Sequence, residues 1–262
     1  MKRRIKLSGK RKEKKRKEKG ILMADIVNDS AECDVGTLFS SEEDSSMIMQ
    51  TYNFCGRDFE IKAMPSDGLG SQRYTVQGRV VWRGAPRLAK YLTENEDGVW
   101  DYFRNGKCTR AVELGAGCGL VGVVFAHLCG PSVDVTITDY DKDVVALIED
   151  NIERNFPDRA DAAHVHGMSM DWRDVIDEAS PLYGAFQFVF ASDVTHATER
   201  YAELFRTAYT LLEKGGCFLM INHMWIYFAP DVCNAGAAAG FKVKKEVQLP
   251  DESFMLTVFE KV

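Results

Sequence analysis

Between positions 109 and 222 the chain alternates short apolar or β-branched runs with helix-length segments, and this alternation restricts the fold more than any other feature of the sequence. Residues 109–114 predict a strand, followed by a helix over 119–128 that stops at Gly130-Pro131. A β-branched strand over 133–138 leads to a helix over 142–155, which ends before Pro157. A third strand is expected over 163–168. The run Phe-Gln-Phe-Val-Phe-Ala at 186–191 is the near-continuous apolar fourth, as a strand buried on both faces should be. Tyr201, Leu204, Phe205, Ala208, Leu211 and Leu212 share one helical face, with Gly215-Gly216 expected to close that helix. A fifth strand over 217–222, an Ala-rich helix over 230–240 and an antiparallel pair, 241–248 with 254–259, joined at Pro250-Asp251, complete the pattern. The expected fold is α/β, a doubly wound, mostly parallel sheet of seven strands with helices on both faces. Ahead of it, a hairpin within 52–61 and a helix over 82–92, entered through Pro86, lead into the core.

At 262 residues and 45% hydrophobic, the chain can bury one sizeable core, here 48–262, with 48–108 as hairpin and helix and 109–262 as the Rossmann-like part. Charge divides it further. Residues 1–20 hold twelve Lys and Arg against Glu13 and Glu18, leaving 21 basic and 37 acidic residues, a charge of -16, for the rest. The basic stretch is too poor in apolar residues for a core and reads as a disordered tail; 21–47 reads as a flexible acidic linker. The tail, residues 2–19, is either a solvated extension or an arm that directs nuclear import or tethers nucleic acid. No secretory or mitochondrial leader pattern and no bilayer-length apolar run is expected, so cytoplasm and nucleus are the expected compartments. The seven scattered cysteines lack a C-x-x-C pair, which fits a reducing compartment. His164 and His166, read as one strand face, have no third ligand at a convincing spacing, so no metal is expected. A monomer is expected.

Sheets of this kind bind ligands beyond the carboxyl ends of their strands, at the switch point of strand order. Ala-Val-Glu-Leu-Gly-Ala-Gly-Cys-Gly-Leu at 111–120 falls there. A glycine loop between strand and helix serves dinucleotides or S-adenosylmethionine. The dinucleotide pattern is G-x-G-x-x-G, whereas here Glu113 precedes Gly115, Ala116, Gly117 and Gly119, and Leu120 follows. This E-x-G-x-G-x-G resembles the first motif of the class I, seven-strand methyltransferases. Glycines let the main chain pass against the methionine portion of the cofactor, and the helix N-terminus directs N–H groups at its carboxylate. Asp139, at the end of the second strand, can accept both ribose hydroxyls, a role that serves NAD equally well. The resemblance implies that Glu113 organises the methionine amino group, directly or through water.

Residues 81–92, Asp171-Trp172 and Ala191-Ser192-Asp193 further resemble methyltransferase family 16, the small protein-lysine methyltransferases. That resemblance implies S-adenosyl-L-methionine as cofactor, Trp82 and Trp172 as walls of its pocket, Ser192 as a main-chain contact, and a protein lysine as acceptor. The family's D-x-x-Y stands here as Asp193-Val-Thr-His196, a departure that bears on the acceptor rather than the cofactor. Asp193 would orient the acceptor amine and stabilise developing positive charge; His196 would line the acceptor channel, take a proton, or remain a surface residue. No proline follows Asp193, unlike the N-P-P-Y of enzymes acting on base amino groups, which leaves nucleic acid as the second reading and a small-molecule amine as the third. A degenerate domain that only binds a partner would show losses in the loop or at Asp139, and neither is lost.

Overall fold

The computed structural model describes residues 47–65, 74–94, 108–158, 162, 164–224, 229–249 and 253–262. These belong to one compact unit, Asp44–Val262; the other unit, Met1–Glu43, and with it the basic tail and nearly all of the acidic linker, lies outside the described residues. So does the turn expected at Pro250-Asp251.

A seven-stranded sheet forms the centre. Its strands are β3 (Arg110–Leu114), β4 (Asp134–Asp139), β5 (Val165–Ser169), β6 (Phe186–Ser192), β7 (Leu212–His223), β8 (Phe241–Gln248) and β9 (Phe254–Lys261), in the order β5-β4-β3-β6-β7-β9-β8. The first five are parallel; β9 runs antiparallel to β7, and β8 antiparallel to β9. From β3 the chain steps outward to β4 and β5 and then returns to the other side of β3 with β6, so the switch point lies between β3 and β6.

Alternating side chains separate the two faces. Ala111, Ile137, Phe188, Phe190 and Leu219 pack beneath the helices α1 (Gly84–Thr93), α2 (Leu120–Cys129) and α3 (Lys142–Asn155). Val112, Leu114, Val189, Ala191 and Phe218 face α4 (Tyr201–Leu211), while Val232 of α5 (Ala229–Ala238) joins the same cluster. The apolar run of β6 is explained by this sandwiching, since both faces of the strand are covered. Each fully buried Phe or Leu contributes about 1.5–3 kcal/mol relative to exposure, which is why the central strands need no polar alternation.

The helix α4 ends at Leu211 instead of running to the glycines. Leu212 is already extended (φ -74°, ψ 140°) and pairs with Phe186, so its side chain stays on the buried face as the first residue of β7, and Gly215-Gly216 fall within that strand. The hairpin β1 (Ile48–Phe54) and β2 (Arg57–Ala63) forms a separate two-stranded sheet turning at Cys55-Gly56. It is joined to α3 by two buried carboxamides one helical turn apart. Asn151 accepts from Lys62 N (2.7 Å) and donates to Lys62 O (3.1 Å), and Asn155 does the same with Glu60 (3.1 and 2.8 Å). The pair presents a substitute strand edge to β2, satisfying backbone groups that burial would otherwise leave costly.

The two histidines do not share a strand face. His164 precedes β5, is buried, and stands edge-on to Phe156 with Nε2 3.2 Å from Ala126 O, whereas exposed His166 lies on β5 beside Thr136 Oγ1. Among the described residues no group of three His, Cys, Asp or Glu side chains is placed to hold a metal. Among them, too, no helix is long and apolar enough to cross a membrane.

Candidate active site

The carboxyl ends of β3, β4 and β6 open into a cavity of about 390 Å³, within the range of about 300–1,000 Å³ usual for small-ligand sites. Its floor is the loop between β3 and α2. Gly115 (φ 63°), Gly117 (φ 54°) and Gly119 (φ 77°) all take left-handed conformations that other residues adopt at a cost. Gly115 is required for a second reason. A Cβ there would lie 3.0 Å from both Trp172 Cζ2 and Val194 Cγ1, so the missing methyl is what lets the indole close on the loop.

Trp82, Gly115, Ala116, Gly117, Asp139, Trp172, Ser192, Asp193 and His196 all line this cavity. Glu113 and Gly119 do not. Gly119 is the N-cap of α2, turned toward Ile137 and Ile148. Glu113, only 1% exposed, accepts the amide of Gly122 at 2.7 Å, so its carboxylate caps the first turn of α2 behind the loop. In the described structure the Glu113 carboxylate supports the helix that underlies the loop, a position from which it bears on the cavity from behind the loop. Strand alternation explains this, because Val112 and Leu114 face α4 and Glu113 must face α2.

Asp139 ends β4 with Oδ2 accepting from Gly117 N and Oδ1 from Asp141 N, both at 3.2 Å. One carboxylate thus joins the two loops of the floor. Burial raises its pKa above the usual carboxylate value, and burial with the nearby Asp139 pushes the pKa of Glu113 up to about 8. A cationic ligand group beside Asp139 would favour its ionised form. The Cys118 thiol, buried in the loop and aimed at Gly78 O (3.6 Å), is pushed up to about 12 and stays protonated, which removes it as a nucleophile.

One wall was not foreseen from the pattern of strands and helices. A 3-10 turn, Tyr74–Arg79, crosses the glycine loop, with Gly78 O 3.1 Å from where a Cβ on Gly117 would sit. Trp82 Nε1 donates to Gln77 O at 3.0 Å, and Arg79 pairs with Asp143 at 3.6 Å, tying the turn to the segment that enters α1 and to α3. Asn151 was missed as well. Besides holding β2, its Nδ2 donates to Cys118 O (2.9 Å) and anchors the loop from below. An asparagine on the apolar face of α3, between Ile148 and Ile152, is the signal that marks it.

The acceptor side follows β6. Asp193 is left-handed (φ 54°) and buried, with Oδ2 accepting from Gly84 N (2.5 Å) and Oδ1 from His223 N (2.6 Å). Burial raises this carboxyl too, opposed by those two amides. The next residues are fixed in turn, since Thr195 Oγ1 donates to Asn222 Oδ1 (3.1 Å) and Tyr201 OH to Thr195 O (2.9 Å). His196 is thereby held at the cavity wall with Nδ1 3.4 Å from Asp193 O, and Ala197 and Arg200 extend the lining beyond it. Residues 66–73 and 225–228 lie outside the described residues.

Comparison with known proteins accords with this geometry. The model of a family described as lysine methyltransferase, family 16, matches residues 68–225. The chain is 32% identical over 141 residues to protein N-lysine methyltransferase METTL21A of Mus musculus, covering 54% of this chain and 58% of that protein. It is 36% identical over 158 residues to calmodulin-lysine N-methyltransferase of Arabidopsis thaliana, covering 60% and 46% respectively. A third similarity, 30% over 184 residues, is to EEF1A lysine methyltransferase 3 of Mus musculus, covering 69% of this chain and 68% of that protein. The chain spans a little over half the length of the first relative and just under half of the second. Among solved structures, the cyclase SpnF superposes with a TM-score of 0.53 at 15% identity, covering 71% of this chain and 84% of that one. A candidate sarcosine dimethylglycine methyltransferase of Galdieria sulphuraria also gives 0.53, at 10% identity, with coverage of 67% and 85%. Identities this low speak to the fold alone.

Proposed function

Because the chain belongs to the lysine methyltransferase family, we propose that it methylates a lysine side chain of a protein, with S-adenosylmethionine as methyl donor. The observation that carries this reading is the pairing of a glycine-loop floor with two indole walls, Trp82 and Trp172, in one cavity whose far side is formed by Asp193 and His196. Fit to the donor is supported by the cradle at Gly115, which a methyl would fill, and by the buried carboxylate Asp139 on the cavity wall. When bound, the donor supplies an electrophilic methyl group on a sulfonium.

In this reading Gly115, Ala116 and Gly117 give main-chain contact to the donor, and Asp139 takes its ribose hydroxyls while holding Gly117 N. Trp82, Trp172 and Ser192 close the pocket and exclude water. Glu113 acts from behind, by fixing the N-terminus of α2.

The acceptor needs a neutral amine, and lysine, with an ordinary pKa of about 10.4, must lose a proton first. Asp193 is suited to orient the amine rather than to strip its proton, because a carboxylate beside an amine favours the amine's charged form and two main-chain N–H groups stabilise the anion. Each oxygen keeps a further lone pair, so the anchored carboxylate orients the amine and stabilises the positive charge that develops as the methyl arrives. His196, held by its neighbours at the wall, shapes the acceptor channel.

The test is incubation of cell protein and RNA fractions with radiolabelled donor and the full chain, beside Asp139→Ala and His196→Ala. Label on lysines of protein, abolished in Asp139→Ala, is the expected result. His196→Ala should lower kcat while S-adenosylhomocysteine affinity changes less than about twofold, since it stands on the acceptor side. Label in RNA alone would favour the second reading, in which the basic tail holds nucleic acid, and loss of all donor binding in wild type would remove the enzyme reading.

A further inference from the structure

Trp172 closes the cavity, yet it belongs to no regular element. β5 ends at Ser169, and the chain then makes a turn in which Asp174 N donates to Asp171 O at 3.0 Å. The entry to this turn is tied to the sheet by Met170 N donating to Asp139 O (2.9 Å). The pair between Arg173 and Asp171 lies within the turn and cannot fix the turn against the body of the protein.

The exit is tied from α4. Arg206 Nη2 lies 2.6 Å from Trp172 O and 3.4 Å from both Arg173 O and Asp174 O, so one guanidinium nitrogen gathers three successive carbonyls. Thr207 Oγ1, the next residue of the helix, also reaches Trp172 O at 3.4 Å. A charged donor at the carbonyl end of a turn is favoured by the same electrostatics that favours cations at helix C-termini. On the other side of Trp172, its ring lies 3.0 Å from the position of a Cβ on Gly115, so a small displacement of the turn opens or fills the space over the glycine loop.

We propose that Arg206, supported by Thr207, is the positioning residue for the Trp172 wall, acting on donor affinity through the turn 171–174 without touching the cavity. This rests on the reading of Trp172 as a wall of the methyl-donor site. Neither residue lines that cavity; Arg206 instead reaches the turn from the outer surface of α4, where it also borders a groove shared with α5.

The experiment is a double-mutant cycle on the full chain, with the dissociation constant of S-adenosylhomocysteine measured by calorimetry. Arg206→Ala should weaken binding about tenfold, the scale of one charge-assisted hydrogen bond, and Arg206→Lys should recover most of it. Added to Trp172→Ala, Arg206→Ala should weaken binding no further. Unchanged affinity in Arg206→Ala, or equal weakening with and without Trp172, overturns the proposal. Arg206→Met, which keeps the aliphatic stem, replaces the alanine variant if the latter fails to fold. If wild type does not bind the ligand, the methyl-donor reading falls, and the positioning role is decided by tryptophan emission. The Trp172 contribution, obtained by subtracting Trp172→Phe, shifts to the red in Arg206→Ala if the role is real and stays fixed if it is not.

Discussion

Gly84 and Asp193 meet backbone to carboxylate. The first amide of α1 donates to Asp193 Oδ2, and a Cβ on Gly84 would lie 2.6 Å from that same oxygen and from Cγ. Gly84→Ala must therefore separate the helix from the end of β6. The expected loss is at least about 2 kcal/mol, combining overpacking with a strained charged hydrogen bond. Urea unfolding measures it, and wild-type stability in the variant would refute the contact.

Gly115→Ala places a methyl against Trp172 and Val194 in a left-handed conformation. Affinity for S-adenosylhomocysteine should fall tenfold or more. Gly130→Ala is the control, since Gly130 also has a positive φ but a Cβ there meets nothing within 4 Å. With ψ -163° Gly130 lies outside the left-handed helical region, so the variant should cost about 1–3 kcal/mol of stability through the backbone alone and leave affinity unchanged. Equal loss of affinity in both variants would show that the indole contact is irrelevant.

Glu113 gives a pH dependence whose sign is fixed by its environment. Burial raises its folded value to about 8, above the ordinary value of about 4.3. The proton is bound more tightly in the folded state, so the stabilisation is complete below pH 4 and disappears as pH rises toward 8. Glu113→Gln, which can still accept from Gly122 N, escapes that loss. Thermal melts without ligand should show the variant gaining on wild type between about pH 4.5 and 8, with a constant difference above that range. A difference independent of pH would mean that Glu113 stays ionised throughout.

Asn151 joins three elements with one carboxamide, bonding Lys62 N, Lys62 O and Cys118 O. Asn151→Ala leaves those groups unsatisfied under the hairpin, at about 2–4 kcal/mol. Because one of them is in the glycine loop, S-adenosylhomocysteine binding should weaken as well. Asn155→Ala, whose bonds run to Glu60 and within α3, should lose stability with less effect on binding. The two variants are separated by plotting the change in calorimetric affinity against the change in unfolding midpoint.

Much of this protein was legible before folding because its signals are local. The period of Tyr201, Leu204, Phe205, Ala208 and Leu211 requires a helix, the apolar run at 186–191 requires a strand covered on both faces, and Gly115, Gly117 and Gly119 form a loop between strand and helix as their spacing suggested. The tilt of the E-x-G-x-G-x-G pattern toward a methyl donor also needed no structure, nor did the gathering of Asp139, Trp172, Asp193 and His196 at one end of the sheet. Long-range direction was not legible. Whether Glu113 faces ligand or helix depends on which face of β3 the next helix covers, and whether Asp193 meets solvent or two amides depends on where α1 and β7 end. Gly84 and Arg206 carry no pattern of their own, and Asn151 shows only as a polar residue on an apolar helix face, since each matters through a partner more than 30 residues away, and such pairings are set by the packing of whole elements. Sequence determined the elements and the loop chemistry, because those follow from neighbours along the chain; the tertiary structure alone decided which buried polar group satisfies which.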